Sequence, residues 1–101
     1  MARSAPPQTL TITVTGGEGS ATFRMSGTIT RIFIDAPSET ADYNYLIADS
    51  DGRVLDASKS QMTGDQLLKM REQVFENNTF WIASADEDGT YTVTIWSETD
   101  G

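Results

Sequence analysis

Two short stretches of the chain gather carboxylates beside a glycine, which is the composition of a calcium-binding loop. They are residues 49–52 (Asp-Ser-Asp-Gly) and residues 86–89 (Asp-Glu-Asp-Gly). A calcium loop of the helix–loop–helix kind needs oxygen ligands at its first, third and fifth positions, a glycine at the sixth and a glutamate at the twelfth. Both stretches can therefore be tested by counting.

Neither stretch supplies the full set of calcium ligands. With residue 52 in the sixth place, the first and twelfth positions hold Ile47 and Ser58; with residue 89 there, they hold Ser84 and Ile95. Asp-Gly between alternating apolar runs is typical of β-hairpin turns, because both residues tolerate left-handed backbone. We therefore predict two hairpin turns and no metal site. A weakly held surface ion stays an alternative if the two turns meet at one end of the fold.

Other side chains that perform catalysis are scarce. The chain has no histidine and no cysteine, which removes the commonest general base, the commonest metal ligand and any thiol nucleophile. A pair of carboxylates for glycoside chemistry would have to come from Asp35, Asp42, Asp49, Asp56 or Glu98. Such residues are usually solvated on strand edges and turns, so we predict neither an enzyme nor a cofactor.

Five aromatic residues allow two interpretations. Trp81, Trp96, Tyr43, Tyr45 and Tyr91 would suit a sugar-stacking platform, which is a common use of exposed aromatics on β-sandwiches. The tyrosines, however, alternate in step with neighbouring aliphatic residues, and this favours a place in the core.

The charge balance restricts the class of partner. Fifteen acidic and seven basic residues give a formal net charge of -8, which repels nucleic-acid phosphates and anionic membranes. The first eight residues contain no apolar segment of signal-peptide length, and no run is long enough to span a bilayer. The expected protein is soluble, made in the cytoplasm, and binds neither nucleic acid nor membrane.

Most of the sequence alternates between apolar and polar residues, as half-buried strands do. Leu10, Ile12 and Val14 alternate with threonines, and similar runs follow at about 21–25, 28–35, 43–47, 53–57, 79–84 and 90–97. Glycine turns at 15–20 and 86–89 predict hairpins between the runs that flank them. The predicted fold is mainly β, a single antiparallel β-sandwich of about seven strands, Ig-like or jelly-roll-like.

One segment departs from this alternation. Across residues 64–76, Leu67, Met70 and Val74 fall at helical spacing among residues that favour helices, which predicts one short helix or a structured crossover. Residues 1–8 are predicted to be a flexible N-terminal arm, and residues 9–101 a single β-sandwich domain.

Four residues are candidates for an interface with another protein. Trp96 falls on the threonine face of its strand, where it would be either exposed or covered by the crossover. Lys69, Arg71 and Phe75 combine basic and large apolar side chains within one short segment, which suits either a docking surface or a half-buried crossover.

Two segments carry a resemblance to a known group of proteins. Residues 26–58 contain a strand that ends near a proline and an aromatic-rich strand that runs into an Asp-x-Asp-Gly turn; residues 86–96 contain the closing run Asp-Gly-Thr-Tyr-Thr-Val. In these features the chain resembles small β-sandwich proteins encoded among the virion structural genes of tailed bacteriophages. The basic crossover at 69–71 has no counterpart in that pattern.

The resemblance implies a non-enzymatic virion structural protein, most simply a capsid cement or decoration protein. Such a protein would bind the major capsid protein on the outer shell, or other virion proteins, and would form homo-oligomers. By mass action it would stabilise the assembled shell that it binds. The alternatives are a neck or tail connector component of the same particle, and a carbohydrate-binding β-sandwich module.

Overall fold

A computed structural model describes residues 2–100 of the chain, which form β-strands and no helix. The strands are β1 (Ala2–Ser4), β2 (Gln8–Val14), β3 (Gly19–Arg24), β4 (Gly27–Asp35), β5 (Asp42–Asp49), β6 (Val54–Ala57), β7 (Met62–Thr63), β8 (Gln66–Val74), β9 (Asn77–Ala83) and β10 (Gly89–Asp100). Within the described part of the chain, nothing forms a helix of the length and apolarity that a bilayer crossing takes.

The strands form two antiparallel sheets of five strands each. The first sheet has the order β1-β10-β4-β8, with β2 also paired to β10. β2 and β1 follow one another along the same edge of β10, beside residues 89–95 and 98–100 respectively. The second sheet has the order β3-β9-β5-β6, with the short strand β7 also paired to β5. Neighbours in both sheets are therefore mostly distant in sequence.

Strict alternation along the strands produces one core that both sheets share. Ile12 on β2 and Val93 on β10 are fully buried, and so are Tyr43 on β5 and Phe80 on β9; all four belong to a single hydrophobic cluster. The intervening residues of β2 are threonines that face solvent. Each sheet thus buries one face and leaves the other free, as expected for half-buried strands.

The helix or crossover predicted for residues 64–76 is wrong, because most of this segment is β8, an edge strand paired with β4. Leu68, Met70 and Val74 face the core at even spacings of two and four residues, whereas Leu67 lies on the opposite, exposed face. Pairing with β4 outweighs the helix propensity of the residues between them, since such propensities differ by only fractions of a kcal/mol.

Two of the three predicted hairpins are also wrong. β2 pairs with β10 and β3 pairs with β9, so the glycine turn between β2 and β3 carries the chain from one sheet to the other. The acidic stretch at 86–89 does the same between β9 and β10. Only the turn at 49–52 closes a true hairpin, in which β5 pairs with β6. The seven predicted strands correspond to β2–β6, β9 and β10, and β1, β7 and β8 are additional.

The N-terminal arm predicted for residues 1–8 contains an ordered strand. Ala2–Ser4 pairs with the last residues of β10, the amide of Ala5 donates to the carbonyl of Ser97 at 2.9 Å, and Gln8 begins β2. Met1, at the start of the predicted arm, and Gly101, at the end of the predicted domain, lie outside the described residues. Mobility of the arm in solution stays a prediction.

Candidate functional site

Three of the four predicted interface residues share one surface, the outer face of the first sheet. Trp96 on β10 is the cross-strand partner of Arg31 on β4, and Arg31 is in turn the partner of Lys69 on β8. Arg71 lies two residues further along β8 and is exposed in the same alternation. Phe75, with 70 % of its surface exposed, follows the end of β8.

A second row of side chains extends this surface with apolar groups. Thr94, Phe33 and Leu67 are cross-strand neighbours on β10, β4 and β8, and Leu67 is 54 % exposed. We call the combined surface the basic face and define it by six residues. They are Arg31, Phe33, Leu67, Lys69, Arg71 and Trp96.

The cations of the basic face are free to pair with a partner. The guanidinium carbon of Arg31 lies 4.3 Å from the ring centroid of Trp96, a cation–π contact that leaves the tryptophan half-buried. Among residues 4–99, whose side chains the structure describes, the ion pairs join Arg24 to Glu76 and Arg53 to two aspartates, and none includes Arg31, Lys69 or Arg71. Three of the seven basic residues of an acidic chain thus lie together without a carboxylate partner.

The outer face of the second sheet has a different character, and the sequence did not predict it as a surface. Two adjacent rows of cross-strand neighbours run across β3, β9, β5 and β6. Both rows contain only small and apolar residues. We call these eight residues the neutral face. They are Ser20, Trp81, Leu46 and Ala57, then Thr22, Thr79, Ala48 and Val54.

Trp81 is the most prominent group of the neutral face, with 38 % of its surface exposed. Its neighbours Phe80 and Ile82 are fully buried, so the alternation along β9 turns Trp81 outward. That alternation was the signal available in the sequence. Trp81 and Trp96 therefore lie on the outer faces of different sheets and do not form one stacking platform.

The three tyrosines lie in the core, which confirms that interpretation of the aromatic residues. Tyr43 and Tyr91 pack edge to face at 5.3 Å between ring centroids, and Tyr45 stacks on Phe80 at 5.7 Å. Burial raises the pKa of all three phenols above the ordinary value, with nearby carboxylates adding to the shift. Each hydroxyl donates a hydrogen bond, and that of Tyr45 donates to Asp56 at 2.6 Å.

The first acidic stretch uses its carboxylates to hold its own turn. Asp49 Oδ1 accepts hydrogen bonds from the amides of Asp51 and Arg53 at 3.0 and 2.9 Å. The Arg53 side chain lies 3.7 Å from the other oxygen of Asp49. Gly52 has a positive φ of 82°, a backbone conformation that glycine adopts without steric cost.

The carboxylates of the second acidic stretch accept hydrogen bonds from neighbouring loops. The two oxygens of Asp88 accept from the amides of Gly16 and Gly17, both at 3.2 Å, in the connection between β2 and β3. Asp86 Oδ1 accepts from the amide of Asp42 at 2.8 Å, and Glu87 accepts from the hydroxyl of Ser38 at 2.6 Å. These carboxylates therefore act as backbone and loop acceptors.

The two acidic stretches lie at opposite ends of the second sheet. Asn44 near the start of β5 pairs with Ala83 at the end of β9, while Asp49 pairs with Asn78 at the other end. Five residues of strand separate them, roughly 17 Å, so a single ion cannot bridge the two turns. Among the side chains that the structure describes, those of residues 4–99, no group of three acidic residues converges as a metal site would require.

The carboxylates considered for glycoside chemistry are dispersed. Asp35 ends β4 in the first sheet, Asp42 and Asp49 occupy opposite ends of β5, and Asp56 is bonded to Tyr45. Glu98 lies on β10 beside Ser4 and Thr28.

One groove opens between the free edges of the two sheets. It has a volume of about 370 Å³ and lies between β6 with the segment after it and β8. Its lining includes the phenol of Tyr45, Asp56, Lys59, Leu68 and Lys69. Its volume falls within the range of small-molecule pockets.

Comparison of the chain with protein-family models and with curated proteins found no match in either set.

Proposed function

We propose that the chain is a non-enzymatic structural protein of a tailed-bacteriophage virion, of the cement or decoration type, which binds the outer shell and stabilises it. The observation that carries this proposal is the pair of unlike outer faces, one basic and aromatic and one neutral, on opposite sides of a two-sheet β fold. A molecule with two such faces can bind two surfaces at once.

The strand order supports a jelly-roll β-sandwich as the architecture. Without the short strands β1 and β7, the sheets read β2-β10-β4-β8 and β3-β9-β5-β6, and most connections along the chain alternate between the sheets. This interleaving is the arrangement of double-sheet jelly rolls, which recur in viral capsid and lectin domains, and it favours the jelly-roll-like over the Ig-like alternative.

In this proposal the basic face is the surface that binds the major capsid protein. Outside the basic and neutral faces the molecule is strongly acidic, so an acidic shell surface would attract the basic face and repel the acidic surfaces, which orients the docked molecule. Trp96, Phe33 and Leu67 then supply apolar contact area beside the three cations. Binding to the assembled shell and not to free subunits would stabilise the shell by mass action.

Two other functions have some support. A neck or tail connector would use the same faces in a different ring of the particle. A carbohydrate-binding module is favoured by the groove beside Tyr45 and Lys59. The placement of Trp81 and Trp96 on different sheets counts against it, because a sugar-stacking platform needs its aromatics on one surface.

The first test is whether the chain is part of a particle. Particles from a culture of the source strain are banded on a density gradient, and each fraction is analysed by quantitative mass spectrometry. We expect the chain in the particle band at an abundance comparable to the shell protein; a trace abundance relative to the shell protein would favour the connector. A chain found only among free proteins, while particles are present, overturns the proposal.

The second test examines the basic face directly. Particles made without the gene are mixed with purified protein, and bound protein is measured after sedimentation. The double variant R31E/K69E should bind at least about tenfold more weakly, because it places like charge against the shell. The matched control R24E/R53E makes the same change in net charge away from this face and should bind like the wild type. Equal loss in both variants would show a general charge effect and refute this assignment.

A further inference from the structure

The two sides of the fold differ in how closely the sheets meet. On one side the edge strands β2 and β3 lie against each other. Gln8 Nε2 donates to the carbonyl of Arg24 at 2.6 Å. Near the other end of the same strands, a β-carbon on Gly19 would overlap the carbonyl oxygen of Thr13. On the opposite side, the groove of about 370 Å³ stays open between β6 and β8.

β8 is a free edge beside this groove. The strand is nine residues long, and within residues 2–100 its only backbone partner is β4. Four apolar residues of the neighbouring edge strands pack against the core and stay partly exposed; they are Leu55 on β6, Met62 on β7, and Leu68 and Met70 on β8. A strand paired with β8 along the groove would cover part of this apolar surface, which is favourable.

We propose that β8 binds an extended segment of a partner protein as an additional strand of the first sheet, and that acidic and apolar residues alternate in this segment. Main-chain hydrogen bonds to the free edge supply affinity, and the alternate side chains supply specificity. The inference goes beyond the proposed function, since it concerns how the backbone of a partner is bound and holds whether or not that partner belongs to a virion.

The side chains of β8 determine which segment fits. Lys69 and Arg71 are exposed on the outer face, and neither forms an ion pair among residues 4–99. Residues directly opposite each other in paired strands share a face, so carboxylates opposite these two cations are stabilising. On the inner face, Leu68 and Met70 favour apolar neighbours and Glu72 favours a basic one.

A second copy of this chain is a poor occupant of the edge. Two β8 strands paired antiparallel along their full length have Met70 at the two-fold axis, which sets Lys69 of each copy opposite Arg71 of the other. A shift of the axis by one residue sets Lys69 or Arg71 opposite itself. Like charges directly opposite destabilise a sheet, and such charges commonly protect an edge from self-association. The same cations attract an acidic strand.

A designed peptide tests the inference on the purified protein. Read antiparallel to residues 67–73, the pattern predicts Thr-Lys-Glu-Val-Glu-Val-Thr, which is capped at both ends and carries a fluorescent label. We expect saturable binding by fluorescence anisotropy at micromolar to millimolar protein, with NMR amide shifts concentrated in β8 and the groove. The peptide Glu-Glu-Lys-Thr-Thr-Val-Val has the same composition without the alternation and should bind at least about fivefold more weakly.

N-methylated peptides test main-chain pairing separately from charge. An added edge strand directs the amides of alternate residues toward its neighbour. One peptide is N-methylated at both glutamates and the other at both valines, so the two block opposite sets of amides. One of them should lose binding at least about tenfold, and the other should keep most of it.

Charge reversal identifies the strand. The variant K69E/R71E should bind the peptide at least about tenfold more weakly, and a peptide with lysines in place of its two glutamates should restore binding to this variant. The matched control R24E/R53E makes the same change in net charge away from β8 and should bind like the wild type. Circular dichroism checks that each variant is folded.

Three results would overturn the inference: no binding at millimolar protein, equal effects of the two N-methylated peptides, or amide shifts concentrated along β2 and β3. None of them decides whether the chain binds a shell, because the particle fractions and the R31E/K69E sedimentation measure that independently. Conversely, a chain absent from particles could still bind the peptide.

Discussion

The three tyrosines of the core make the fold sensitive to alkali. Tyr43 and Tyr91 are fully buried and Tyr45 is nearly so, and burial raises the pKa of each phenol above its ordinary value of 10.0. The folded protein therefore keeps three phenol protons that the unfolded chain releases as the pH passes 10. Stability from this source is complete below about pH 10 and is lost as the pH rises toward the pKa values of the folded state.

The size of the effect follows from the number of protons. Each proton that the folded state retains lowers the free energy of unfolding by about 1.4 kcal/mol per pH unit. While all three phenols keep their protons, the slope reaches at most about 4 kcal/mol per pH unit, and a domain of this length is stable by roughly 5–15 kcal/mol in total. We therefore expect cooperative unfolding no earlier than about one pH unit above the ordinary pKa of tyrosine.

The assay records two signals during one alkaline titration. Circular dichroism reports the sheets, and absorbance at the phenolate band reports ionisation of tyrosine. Both should change together, because the phenols ionise only when the chain unfolds. In Tyr91→Phe the slope of stability against pH should fall by at most about a third. This variant also loses the hydrogen bond to the carbonyl of Glu87, worth about 1 kcal/mol at neutral pH.

A specific order of events would refute this reasoning. If phenolate absorbance rises near pH 10 while the circular dichroism stays native, the tyrosines ionise in the folded protein, and their burial does not govern alkaline stability. An unchanged slope in Tyr91→Phe would have the same meaning for that residue.

Three further predictions concern stability and are measured by urea unfolding. Gly27→Ala should lower the free energy of unfolding by at least about 2 kcal/mol, because Gly27 has a φ of 125° and a β-carbon there would overlap the carbonyl oxygen of Glu98; a smaller loss would mean that the strand shifts easily. Asp88→Ala should cost about 1 kcal/mol, since two backbone amides of the connection between β2 and β3 lose their acceptor, and an unchanged midpoint would show that water replaces it. Phe75→Ser should change stability by less than about 0.5 kcal/mol, because the ring is largely exposed; a larger loss would place the ring in a packed site.

Local patterns in the sequence predicted those parts of the fold that depend on one strand at a time. The alternation of Leu10, Ile12 and Val14 identified β2 and its buried face, and the alternation of Tyr91 with threonines did the same for β10. The core position of the tyrosines followed from the same rule. Three of the four candidate interface residues lie on one surface for this reason as well, since outward residues of paired strands share a face.

The sequence did not predict which strands pair. Glycine at 16 and 17 indicates a reversal of the chain, yet the reversal leads into the opposite sheet, and nothing within the turn distinguishes the two outcomes. The error at β8 has a related cause. Glu72 interrupts the apolar alternation of Leu68, Met70 and Val74. The segment is therefore recognisable as a strand only from its pairing with β4. The basic and neutral faces depend on these pairings, so they could not be predicted from the alternation within single strands.

The position of β10 has a consequence for how the molecule is made. This strand lies inside the first sheet, where it pairs with β4 on one side and with β1 and β2 on the other. Until residues 89–100 leave the ribosome, β2 has no strand to pair with. Folding is then a late, nearly all-or-none event with long loops to close, and topologies of this kind fold in milliseconds to seconds.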